Sequence, residues 1–205
     1  DPNYKDSVSE TAQKVADFLI AAGAENVKIF PTKGHPIVFG QKNISNHLPT
    51  VLVYGHYDVQ PPDPLDLWDT PPFEPTIKDG NIYARGSCDD KGQFFMHIKA
   101  FEAMLAAGEL ACNIKFMIEG EEEIGSEGVE GFIAQEAAKL ACDVVVISDS
   151  SQFGPGQPAI TYGLKGLAYF ELRLTGPKQD LHSGTFGGGV TNPVTYIEQI
   201  SYLIY

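Results

Sequence analysis

Apolar positions along the chain fall into two periods. Val8, Ala12, Val15, Leu19 and Ala22 recur at helical intervals, and Ser7 with Glu10 has the spacing of a capping box, so residues 7–22 read as an amphipathic helix that Gly23 closes. Short strand-like runs follow at 26–30 and 36–39. The run Val51, Leu52, Val53, Tyr54 then breaks at Gly55 and delivers His56 and Asp58. A short apolar run ending at a glycine reads as a buried strand, and the carboxyl end of such a strand is where open α/β sheets place their ligands. Two residues apart in extended backbone, His56 and Asp58 point to the same side. If His56 holds a metal, Asp58 is its natural hydrogen-bond partner.

A Pro-rich excursion, VQPPDPLDLWDTPPFEP, comes next. Its prolines forbid regular structure, and Trp68 and Phe73 are placed to pin it to the body, as a surface loop or as a wall beside His56. Asp79-Gly80 between short apolar runs signals a hairpin over 77–83. The loop ARGSCDDKG leads into Phe94, Phe95, Ile98, Phe101, Met104 and Leu105, the face of a helix ended by Gly108, so Asp89 and Asp90 stand at a helix amino terminus. Residues 113–118 form another apolar run and enter EGEEEIGSEG. A helix over 126–140 carries Val129, Phe132, Ile133 and Ala137 on one face, and the run 144–147 ends in Ser148-Asp149-Ser150.

Three apolar strands alternating with helices predict an α/β fold with a doubly wound, mainly parallel sheet flanked by helices. Their carboxyl ends gather His56, Asp58, Glu121, Glu122, Glu123 and Asp149 on one edge, with Asp89 opening a helix between them. Carboxylates crowded in a cleft raise one another's pKa unless a cation neutralises them, so this edge asks for a metal. After Gln152 the texture changes. The segment GPGQP is followed by alternating Ala168, Phe170, Leu172 and Leu174, which predict antiparallel strands, then by DLHSGTFGGGV with His182, and by a helix from about Asn192-Pro193. A boundary falls within 156–163, and the piece beyond it is too small for a core of its own.

Composition narrows the partners. With 43% hydrophobic and 20% charged residues in 205, the chain is that of a folded protein, and no apolar run approaches the roughly 18 residues of a membrane span. The net charge of −13 disfavours nucleic acid and anionic membranes. Cys88, Cys112 and Cys142 match no zinc-finger or paired-disulfide spacing, and DPNYKDSVSE has neither a basic nor an apolar leader region. Both point to a reducing, cytoplasmic setting.

The series YGHYDVQPP, ARGSCDDKG, EGEEEIGS, SDS and DLHSGTFGG, in this order over residues 50–192, resembles the co-catalytic zinc metallopeptidases that include carnosinase, cytosolic non-specific dipeptidase, glutamate carboxypeptidase and succinyl-diaminopimelate desuccinylase. The Pro-rich excursion and the HSGTFGG loop are most similar to the dipeptidase and carnosinase branch. The resemblance implies hydrolysis of the amide of a dipeptide or small peptide. It implies that His56 and Asp149 bind one zinc, that Asp89 bridges two, and that Glu123 binds the second. Asp58 would orient His56, and Glu122 would be the general base. His182, in dimeric members that of the partner subunit, would stabilise the oxyanion. A cis peptide bond after Asp89 belongs to the same pattern. Three consecutive glutamates leave a register of one open, and the family spacing before Ile124-Gly125-Ser126 favours Glu122 as the base.

The same resemblance divides the chain into a catalytic part, 1–158, and the first part of a smaller α+β lid and dimerisation domain, 159–205. Relatives are about twice as long, and their returning chain supplies a final histidine ligand that does not occur here after His182. The chain therefore reads as an amino-terminal portion that alone binds at most one ion well and hydrolyses little. His97 lies within a helix and reads as structural. Manganese or cobalt would suit a histidine and carboxylate donor set as zinc does. A deacylase of N-acyl amino acids with the same metals, or a non-catalytic binding relative, stands as the alternative.

Overall fold

The computed structural model describes residues 4–204. It divides between Ala159 and Ile160 into two compact units. In the first, helix α1 (Lys5–Ala21) precedes β1 (Glu25–Phe30), β2 (Ile37–Lys42) and β3 (Thr50–His56). A hairpin of β4 (Thr76–Lys78) and β5 (Asn81–Tyr83) leads to α2 (Lys91–Ala107), β6 (Asn113–Glu119), α3 (Glu127–Leu140) and β7 (Val144–Ile147). The second unit holds α4 (Ser183–Phe186) and α5 (Pro193–Ile204).

The main sheet has the order β1-β2-β6-β3-β7. Strands β6, β3 and β7 run parallel, whereas β1 with β2 and β2 with β6 pair antiparallel. The parallel arrangement predicted from the helix alternation thus describes three strands, and two antiparallel strands complete the sheet. Helices α1 and α2 pack on one face through Ala12, Val15, Leu19, Phe94, Ile98 and Phe101 against Val38, Val53, Phe116 and Ile118. Helix α3 packs on the other through Phe132 and Leu140 against Phe39, Leu52 and Met117. The crossovers from β3 to β6 and from β6 to β7 lead to opposite sides of β3. Its carboxyl end therefore opens into the crevice where such sheets bind ligands.

Helix α1 starts two residues earlier than its sequence suggests. Ser7 and Glu10 form no capping box; they lie inside the helix, where the Ser9 and Thr11 hydroxyls donate to the Lys5 and Ser7 carbonyls four residues back. Its carboxyl end closes as expected: Gly23, at φ +98°, donates to Ile20, and Ala24 donates to Leu19. The Asp79-Gly80 turn has positive φ at both residues, as the tightest hairpins require. Within the Pro-rich excursion the Trp68 indole N–H donates to the Pro62 carbonyl at 2.7 Å and folds the segment on itself, and the Arg85 guanidinium over the Trp68 ring ties it to the loop before α2.

One expectation fails in the second unit. Residues 168–174 alternate as strands do, yet no strand forms there among the described residues. Tyr169, Phe170 and Leu172 remain exposed, so nothing offsets the cost of ordering the backbone.

Phe116 sits at 0% exposure at the centre of the sheet, edge-to-face with Phe101 at 5.6 Å. Phe116→Ala is expected to cost about 3–5 kcal/mol of unfolding free energy in urea titrations. A loss under about 1 kcal/mol would contradict this core.

Candidate metal centre

Strand β3 ends by carrying the His56 side chain to 0% exposure. Its main-chain N–H donates to Asp90 Oδ2 at 3.0 Å. Asp90 is the residue before α2, but its side chain does not cap the helix as its position suggested; it is drawn to β3 instead. The bond between Asp89 and Asp90 is cis.

The two ring nitrogens of His56 face different surroundings. Nδ1 lies 3.2 Å from both the carboxylate and the carbonyl of Asp58. Nε2 faces three carboxylates: Asp89 at 3.0 Å, Asp149 at 3.5 Å and Glu122 at 3.9 Å. Burial alone would lower the pKa of this imidazole. The hydrogen bond and charge of Asp58, with Asp90 and Glu122, outweigh burial and push it up to about 9. The site therefore favours positive charge at Nε2. With the Nδ1 proton held by Asp58, the Nε2 lone pair and three carboxylates converge on one point, and that donor set suits a divalent cation. Ligand atoms of His56, Glu122 and Asp149 all lie within 4.8 Å of one another.

Asp58 also reaches across to the acidic run. Its two oxygens accept the main-chain N–H groups of Glu122 at 3.3 Å and Glu123 at 3.1 Å, which begin a 3-10 turn over Glu122–Ile124. Burial opposes its ionisation, but the His56 bond and these two amides hold its pKa below the ordinary value. One carboxylate thus fixes both the imidazole and the turn beside it.

The four glutamates of EGEEE divide into two pairs. Glu119 is 1% exposed and accepts hydrogen bonds from Tyr54 and, at 2.9 Å, from the Ser126 hydroxyl, while burial raises its pKa. Glu121 is also buried and accepts the Gly128 N–H at 3.1 Å, replacing the cap that Ser126 does not supply to α3. A side chain at Gly34 would collide with this carboxylate, so the backbone there seats it. The other pair turns outward. Glu122 faces His56, its pKa raised by partial burial and by Asp149, Glu123 and Asp58 against the opposing pull of His56. Glu123 accepts from Gln60 of the Pro-rich excursion at 2.6 Å.

Of the residues singled out in the sequence, His56, Asp58, Asp89, Glu122 and Asp149 come together directly. Glu123 stands at the margin with Gln60. His182 belongs to the second unit, where its exposed ring accepts the Gly184 N–H at 3.1 Å and opens α4. Glu121 is occupied by its cap, which removes it from the three-way register. Asp90, Tyr54 and the structural roles of Glu119 and Glu121 carry no sequence signal beyond their adjacency to the motifs.

Residues 52–198 match Peptidase family M20/M25/M40. The chain belongs to this family. Within it, the Cys-Gly metallodipeptidase dug1 of Schizosaccharomyces pombe is 44% identical over 164 residues, which cover 78% of this chain and 34% of that protein. The human Beta-Ala-His dipeptidase is 41% identical over 162 residues, covering 78% and 32%. The crystal structure of human carnosine dipeptidase 1 superimposes with a TM-score of 0.75 at 31% identity, over 96% of this chain and 44% of that one. The dipeptidase Dug1p of Saccharomyces cerevisiae gives 0.72 at 31% identity, over 98% and 45%. The chain thus spans between a third and a half of the length of these relatives and falls in the dipeptidase and carnosinase branch of the M20 peptidases. Among the described residues no helix is long and apolar enough to cross a membrane.

If Glu121 caps α3, Glu121→Ala lowers the unfolding free energy by about 1–2 kcal/mol while leaving the affinity for zinc, measured by calorimetry, within about threefold. A loss of zinc binding with unchanged stability would reverse the assignment and make Glu121 a ligand.

Proposed function

We propose that this chain carries the metal-binding and proton-transferring half of a dipeptidase, which hydrolyses the peptide bond of a dipeptide or small peptide. The observation that carries the reading is the buried imidazole whose Nε2 meets three carboxylates at the carboxyl edge of the sheet. His56 and Asp149 would hold one cation, Asp89 would be shared with a second, and Glu123 would turn from Gln60 to complete the pair. Zinc suits these donors, and manganese or cobalt would serve. When bound, the cations supply Lewis acidity, which makes water acidic enough to attack near neutral pH and polarises the scissile carbonyl.

The chain's own groups do the rest. Asp58 keeps the Nδ1 proton of His56 in place and, through two amides, fixes the turn that presents Glu122. Glu122, although its oxygen lies among the converging ligand atoms, is read as the proton carrier and not as a ligand: partly exposed, it has room to take a proton from the attacking water and pass it to the leaving nitrogen. His182 would stabilise the oxyanion from the part beginning near residue 159, which we read as the start of a lid domain that also pairs with a second copy. Names of relatives support the substrate class, since a Cys-Gly dipeptidase and a Beta-Ala-His dipeptidase are both similar to this chain.

Elemental analysis of the purified protein is expected to find a bound divalent metal that Asp149→Asn and His56→Ala lose. Glu122→Gln should keep the metal, while the turnover of a dipeptide panel with added zinc or manganese, expected to be small in this chain alone, falls by about 10²–10⁴. Undiminished turnover in Glu122→Gln would remove it from the proton-transfer role, and a protein free of metal at saturating zinc would overturn the reading as a whole.

A further inference from the structure

Asp149 stands at a vulnerable place. It follows β7, which has four residues, pairs among the described residues with β3 alone, and leaves Val144, Val145 and Ile147 more than half exposed. An edge strand this short does not by itself fix the direction of a side chain beyond its end. The chain turns at Asp149 within three residues, the Ser150 N–H donating to the Ser148 carbonyl at 2.7 Å, so the carboxylate projects from the apex of a tight turn.

Helix α2 grips that turn from the side. The Gln93 side-chain amide donates to the Ser148 carbonyl at 2.7 Å and to the Ser150 carbonyl at 2.9 Å, the two that flank Asp149. Only the NH2 end of the amide can face two carbonyl oxygens, which fixes the orientation of Gln93. One turn further along the same face of α2, His97 Nε2 meets the Ser148 hydroxyl. The helix that follows Asp89 and Asp90 therefore also sets the far wall of the centre.

We propose that Gln93, assisted by His97, is the positioning residue for Asp149: it aims the carboxylate at His56 Nε2 and so sets the affinity of the centre for its ion. The proposal rests on the reading of Asp149 as a metal ligand. It predicts that removing the amide donors weakens metal binding without touching any ligand, on the scale of about 10- to 100-fold seen for groups that orient ligands.

The test is a titration of the chain with Co²⁺, followed by its visible absorption, for wild type, Gln93→Met, Asp149→Asn and the double variant, with the exposed Met96→Ala as a control on α2. Gln93→Met, which keeps the length and loses the donors, is expected to weaken Co²⁺ binding by about 10- to 100-fold. In the Asp149→Asn background the same change should alter affinity by less than about threefold, because Gln93 acts through Asp149. Met96→Ala should bind as wild type does. Wild-type affinity in Gln93→Met, or an equal loss on top of Asp149→Asn, would overturn the proposal. Should Gln93→Met fail to fold, Gln93→Asn, whose amide falls one methylene short, is read by the same two outcomes. The two readings fail differently: Asp149→Asn with undiminished affinity sinks the ligand assignment and this proposal together, whereas a weak Asp149→Asn beside a wild-type Gln93→Met sinks only the positioning role.

Discussion

Repulsion among like charges is the constraint that the first unit is built around. Asp58, Asp89, Asp90, Glu122 and Asp149 all act on or lie against one imidazole. At the end of a buried strand such charges are screened less than in water, and burial together with the neighbouring carboxylates raises the pKa of Asp90 and of Glu122. The chain answers in two ways. Donors already present in the backbone satisfy some carboxylates, as the Glu122 and Glu123 amides do for Asp58. The rest converge on a point where a cation fits.

This division explains how one acidic run serves both structure and chemistry. Glu119 and Glu121 are buried and occupied, by Tyr54 with Ser126 and by the first turn of α3. They fix the path of the backbone on either side of Gly120. Glu122 and Glu123, held by Asp58 from below, are left facing outward with their side chains available. A turn that presents a proton acceptor must be rigid where it is anchored and open where it reacts, and the first and second pairs of glutamates provide these two properties within five residues.

Much of this could be read from the residues because the signals are local. Val51–Tyr54 followed by Gly55 locates β3 and its histidine, Gly23 and Gly108 stop two helices, and Asp79-Gly80 makes its hairpin. What could not be read depends on partners distant in sequence. No period in residues 25–42 says that β1 and β2 join antiparallel to a parallel core, because that follows from which edge β6 leaves free. The alternation of 168–174 has the strand period but not the neighbour that would make it a strand. Glu121 and Glu122 are chemically identical and adjacent; only the approach of Gly34 and the amide of Gly128 decide that the first turns inward. Gln93 carries no signal of its own in the sequence and His97 reads only as a structural residue of a helix; it is β7 that brings Ser148 and Ser150 beside them.

Gly55 has a consequence for the electric field at the centre. A side chain at that position would meet Asp90 Oδ2 at 2.6 Å and the Phe94 Cβ at 2.7 Å, so its absence lets the start of α2 settle directly against the end of β3. The amino terminus of a helix carries the positive pole of its aligned peptide dipoles, an influence that fades within about one turn. Bringing α2 this close places that pole among the carboxylates rather than beyond them. The missing methyl group thus acts as an electrostatic spacer setting, and a fraction of the countercharge at this acidic edge is supplied by peptide bonds before any ion arrives.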